Sequence, residues 1–73
     1  MMEVKWKQHR HEKGYVYHEM TNEFYQVVGF IKPEGNQYVA NVKGRSSFHR
    51  RTVKSAKADV EMIYEKYKNV RNY

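Results

Sequence analysis

The sequence predicts an α+β domain of small size: three or four antiparallel strands closed on one face by a single C-terminal helix, in the order (β)βββα. Three observations carry that expectation. Apolar residues recur at helical spacing near the C-terminus, and two β-branched and aromatic runs flank Pro33-Glu34-Gly35. The chain is also 15% aromatic, although its mean hydropathy is only −1.03. Disordered chains of such low hydropathy are poor in aromatics, so seven Tyr, three Phe and one Trp argue for a packed core.

The helix is the plainest element. Val53, Ala56, Val60, Ile63, Tyr67 and Val70 alternate steps of three and four, with Tyr64 beside them. This predicts a helix over 55–70, with Ala58 and Met62 on its far side. Ser55 is the expected N-cap. Asp59 and Glu61 lie nearer the positive end of the helix dipole, and Lys66, Lys68 and Arg71 near the negative end.

The hairpin comes next. Residues 24–32 and 37–43 read as strands. Pro33 presets the first turn position and Gly35 accepts a left-handed backbone, which favours a three-residue loop with Lys32 opposite Asn36. Phe30 then faces Tyr38, Val28 faces Ala40 and Gln26 faces Val42, all toward the helix. A two-residue loop would shift the pairing by one and exchange the faces of one strand. Residues 14–20 read as a shorter strand turned by Thr21-Asn22. Residues 1–13 are a basic N-terminal segment or an edge strand, because Val4 and Trp6 alternate with Lys5 and Lys7. The plan is thus one domain over 1–73, with the sheet in 14–44, a basic loop in 45–54 and the helix in 55–70.

Length sets the stability problem. A chain of 73 residues buries roughly 60% of its unfolded surface and is marginal alone. Cysteine is absent, which removes disulfides and thiolate metal sites, and leaves self-association as the cheapest supplement. The longest apolar run, Val27-Val28-Gly29-Phe30-Ile31, is too short to span a bilayer, and the first seven residues hold no signal-peptide core. A cytoplasmic location is the expectation.

Charge is placed unevenly. No acid lies between Glu34 and Asp59, where six bases occur: Lys43, Arg45, Arg50, Arg51, Lys54 and Lys57. Elsewhere eight bases meet eight acids, so this segment holds the whole net charge of +6. A localised surplus points to a polyanionic partner. Arg side chains, small hydroxyls and the helix start are all phosphate-binding groups. Phe48, in the middle of the loop, is placed either to stack on a base or to anchor the loop. A solvated basic loop is the plain alternative.

Other constellations are weaker. One helix covers one sheet face, so Val16, His18, Tyr25, Val27, Ile31, Gln37, Val39, Asn41 and Lys43 are expected on the other. Tyr25, Val27, Ile31 and Val39 form an apolar strip there, which favours a homodimer. His9-x-His11 would share a strand face, yet the segment is rich in bases and lacks four ligands, so solvated histidines are expected and no metal. Gly44-Arg45-Ser46-Ser47 is too short for a phosphate loop. His49 beside Arg50 and Arg51 resembles a small endoribonuclease site but has no second acid or base at a diagnostic spacing.

A three-stranded sheet followed by a C-terminal helix resembles the DNA-binding domains of integrase arm-binding modules and of plant AP2 proteins. The resemblance covers the order of elements over most of the chain. It implies that the sheet face away from the helix enters the major groove. Here Val27, Ile31 and Val39 would occupy that face where Arg, Lys and Trp belong, which favours dimerisation there instead. The chain also looks like many small basic phage or mobile-element proteins. The expectation is a non-enzymatic, cofactor-free binding module, homodimeric, whose loop and helix start contact DNA or RNA phosphates. The alternative is a protein-interaction module, a phage-type modulator of a host protein, using the sheet face or meeting an acidic protein surface. A small endoribonuclease is third.

Overall fold

In the computed structural model, which describes residues 4–68, one antiparallel sheet has the order β1-β2-β3-β4-β5. The strands are β1 (Lys5–Arg10), β2 (Val16–Thr21), β3 (Val27–Glu34), β4 (Gln37–Val42) and β5 (Phe48–Arg50), followed by α1 (Val53–Lys68). The α+β class and the C-terminal helix match expectation, and the strand count exceeds it. Val70 and Arg71, expected at the helix end, lie outside the described residues. Among the described residues no helix is long and apolar enough to cross a membrane.

The two additional strands have separate causes. The alternation of Trp6 with Lys5 and Lys7 is a true edge strand, paired along its length with β2. Trp6 also fastens it to the helix: its indole Nε1–H donates to Glu61 Oε2 at 2.6 Å, and Lys57 Nζ lies 5.4 Å from its ring centroid. β5 cuts through the stretch expected to be a loop. Its three residues carry one apolar side chain, Phe48, so no periodicity announces it. Pairing of Phe48 with Ala40 brings that ring to the edge of the core.

The β3–β4 register departs from the three-residue loop. Glu34 pairs with Gln37, Ile31 with Ala40 and Gly29 with Val42, leaving a two-residue connection, Gly35-Asn36. Gly35 has φ 63°, which fits the first central position of a type II′ turn. Pro33 is therefore a strand residue opposite Tyr38, not a turn residue. In a hairpin closed by a hydrogen-bonded Glu34–Gln37 pair, position 33 turns its amide away from β4. On that side β2 pairs with β3 only up to Ile31, so the missing N–H of Pro33 costs no ladder bond.

The shift exchanges the faces of Phe30 and Ile31, whereas Val28 reaches the core and Val27 is exposed, as expected. Ile31, expected on the open face, is fully buried beneath α1, while Phe30 turns to the open face. The faces of β4 are as expected, with Ala40 and Val42 inward and Val39 outward. The core consists of Met20, Val28, Ile31, Ala40 and Val42 from the sheet and Ala56 and Val60 from the helix, with Ile63, Tyr64 and Tyr38 packed at its margin. A bulge between Met20 and Thr21 supplies the extra residue at Val28.

The helix starts two residues before the expected point. Thr52, not Ser55, is its N-cap: Thr52 Oγ1 accepts the Ser55 N–H at 3.1 Å, and the Thr52 carbonyl accepts the first helical bond, from Ala56 N–H. Val53 belongs to α1 by that cap, and the first turn holds no acidic residue.

Candidate nucleic-acid interface

The six bases that stand together in sequence do not stand together in space. β5 separates them into two groups. Lys43 and Arg45 lie in the β4–β5 turn, where Arg45 meets the C-terminal half of α1, whereas Arg51 and Lys54 lie at the helix N-terminus. From Val53 to Met62 the helix rises about 14 Å, which sets the scale of the separation.

The first group is held by Asn41. Its Nδ2 donates to the Arg45 carbonyl at 2.8 Å and to Ser47 Oγ at 3.2 Å, and Arg45 N–H donates to the Val42 carbonyl. The turn therefore has a defined shape. The Arg45 guanidinium lies 4.1 Å from the centroid of Tyr67, and Lys66 Nζ approaches the same ring at 5.5 Å. Between turn and helix is an open cleft of about 490 Å³, floored by Met62, Ile63 and Tyr67 and edged by Arg45, Ser46 and Lys66.

In the second group Arg50 is already committed. Its Nε donates to Asp59 Oδ2, its guanidinium stacks 4.7 Å from the Phe48 centroid, and its NH1 donates to the His49 carbonyl. Arg50 therefore braces β5 against α1. Arg51 and Lys54 are exposed and have no acidic partner among the described residues, and the same is true of Lys43. Lys57 is half-buried over Trp6, where its charge, second to burial itself, pushes the His18 imidazole below its usual pKa.

Phe48 packs at the core edge with the Arg50 guanidinium over its ring, so it anchors the chain there. His49 and Arg50 alternate across β5, so the imidazole lies on the open face and the guanidinium on the helix face. The geometry does not assemble them into one reacting site. His49 Nε2 lies 2.6 Å from Glu34 Oε1 instead. Among the described residues no three His, Asp or Glu side chains gather at metal-binding range.

The residues expected at a dimer interface are dispersed. Ile31 is inaccessible in the core. Val39 is 8% exposed on the open face, flanked in register by Lys32 and His49. Only Val27 and Tyr25 are well exposed, at 44% and 82%, and Phe24 joins them at 71%. These aromatics sit on a turn organised by Asn22, whose Oδ1 accepts the N–H groups of Phe24 and Gln26. Tyr25 there adopts φ 62°, a left-handed backbone that a bulky residue seldom takes.

The open face also carries rings that the charge pattern hid. His9 stacks on Tyr17 across β1 and β2, and His11 stacks on Tyr15 in the connection between them. The signal for them was the period-2 spacing of 9/11 and 15/17 in a hairpin register, legible only once β1 is taken as a strand. No family model, curated protein or solved structure matches this chain.

Proposed function

We propose that the chain is a small basic nucleic-acid-binding module whose phosphate-directed contacts come from both ends of the helix. The observation that carries this reading is the exposure of Lys43, Arg51 and Lys54 without acidic partners among the described residues, in a chain of net charge +6. Arg45 adds a cation at the cleft, whereas Arg50 serves the fold. Phosphate contacts fix position without reading sequence, so binding is expected to be tolerant of sequence and steeply salt-dependent. Titration of random-sequence DNA at two ionic strengths tests this. Affinity that falls with salt supports it, and no binding at low salt removes it.

A second reading follows from the Phe24–Tyr25–Val27 edge. Two large, exposed aromatics on a hydrogen-bonded turn favour a contact with protein, and a second copy of the chain is the simplest partner. Light scattering at micromolar concentration tests it: a dimer that Tyr25→Asp converts to monomer supports it, and a wild-type monomer does not.

A further inference from the structure

The sheet face opposite α1 has an unusual composition for a solvated surface. Strand alternation places His9, Tyr17 and Phe30 on it, and the stacked pair His11–Tyr15, in the β1–β2 connection, extends it at one end. The His9–Tyr17 centroids lie 5.1 Å apart and the His11–Tyr15 centroids 4.5 Å, with ring planes within 20° and 9° of parallel. The rings of Tyr15, just before β2, and Tyr17, within it, have centroids 6.3 Å apart and are tilted by 58°. None of these rings belongs to the core or its margin. All are partly open to solvent.

We infer that this face is a stacking platform for the bases of single-stranded nucleic acid. Rings on a sheet surface offer π-faces to successive unpaired bases, which any base can accept. A duplex keeps its bases paired and stacked and has no free π-face to give. Charge fits the same occupant. Lys5 and Lys7 on β1 and Lys32 on β3 share the face, are exposed, and have no acidic partner among the described residues. Continuing the His18–Ile31 register by one residue sets Lys32 beside Tyr17.

The carboxylates on the strands of this face each lie against a histidine, which carries charge only when protonated. Glu34 meets His49, and Glu19 lies 3.1 Å from His9 Nε2. The latter contact lacks hydrogen-bond alignment, which leaves the buried His9 nitrogen unsatisfied. Cross-strand aromatic pairs also stabilise hairpins by themselves. That role accounts for the pairs, but not for Phe30 and the lysines gathered with them. The platform shares no side chain with the phosphate-directed contacts at the helix ends, so either can hold without the other.

The test uses the full chain and fluorescence anisotropy with a labelled single-stranded RNA of about 12 nucleotides, a single-stranded DNA of the same sequence, and the matching duplex. The single strands are expected to bind more tightly than the duplex. Tyr17→Ala should weaken them about tenfold while Tyr17→Phe retains affinity. Lys7→Glu with Lys32→Glu, both at exposed positions, should weaken single-strand binding with an unchanged circular dichroism spectrum, so the question is answered even where Tyr17→Ala impairs folding. Equal affinity for duplex and single strand overturns the inference. So does single-strand affinity indifferent to the Lys7 and Lys32 changes. Loss confined to Arg51→Ala and Lys54→Ala overturns the platform and upholds the helix-end contacts. Loss confined to Tyr17 and the lysines upholds the platform and removes the helix-end reading. Absence of binding to any of the three at low salt overturns both.

Discussion

A β-carbon on Gly29 would come within 2.8 Å of Val60 Cγ1 and 3.2 Å of the Asn41 carbonyl oxygen. The helix thus rests on bare backbone in the middle of β3. Gly29 is not among the residues with positive φ, so the requirement is for space and not for backbone freedom. Gly29→Ala is expected to cost about 1–3 kcal/mol, the range for overpacking a filled core. Val60→Ala in the same chain should recover part of that loss, because it removes the methyl group that clashes. Denaturant unfolding of the two single variants and the double variant checks the coupling. Strict additivity would mean that the helix shifts instead of clashing.

Arg50 and Arg51 are neighbours in sequence with opposite assignments. Arg50 is tied to Asp59, Phe48 and the His49 carbonyl, whereas Arg51 is exposed without an acidic partner among the described residues. Arg50→Ala should lower the melting temperature, by an amount corresponding to about 1 kcal/mol for a partly exposed pair and a ring contact. Arg51→Ala should leave it unchanged and weaken DNA binding instead. Thermal unfolding set beside binding separates the two, and a reversed pattern would assign the roles the other way.

His18 faces the helix side, opposite Ile31, where burial first and the Lys57 charge second lower its pKa from the usual 6.5. The unfolded chain keeps the higher value and so takes up this proton first as pH falls. Stability contributed by neutral His18 is therefore complete above about pH 6.5, declines as pH drops through that value, and stops declining below the folded pKa. His18→Gln should flatten the stability profile between about pH 7 and pH 5 relative to wild type. An identical slope in both proteins would show that neither burial nor Lys57 shifts the imidazole.

What the sequence disclosed follows the physics of each element. The stripe from Ala56 to Ile63 fixes helix and buried face together, since a 3.6-residue period has one solution. Strands 3 and 4 were visible for their β-branched residues, but their register depended on reading Pro33-Glu34-Gly35 as the loop. Pro33 is as suited to an unpaired strand position as to a turn, and that ambiguity sent Ile31 to the wrong face. β5 was illegible because a strand of three residues with one apolar side chain has no period. The candidate site suffered from the same omission: without β5 the bases at 43–57 look like one cluster. Thr52 could have been recognised as the cap, since it stands three residues before Ser55 and immediately before the apolar stripe.

The division of the basic residues leads to the last prediction. Lys43 precedes Gly44, which lines the cleft reaching Met62 and Lys66, and Arg51 precedes the first turn of α1, so the two are separated by much of the helix. Sites more than about 10 Å apart with no shared partner contribute independently. If both contact phosphates of one bound strand or duplex, Lys43→Ala and Arg51→Ala should each lower the slope of log K against log salt by about 0.7 for a single strand and about 0.9 for a duplex. The double variant should lose the sum. If only one end is used, one substitution is silent and the double variant matches the other single. Salt titrations of the four proteins, each held to an unchanged melting temperature, distinguish these outcomes. Additive losses would place a bound strand along the length of the helix, and a silent Lys43 would confine it to the Arg51 end.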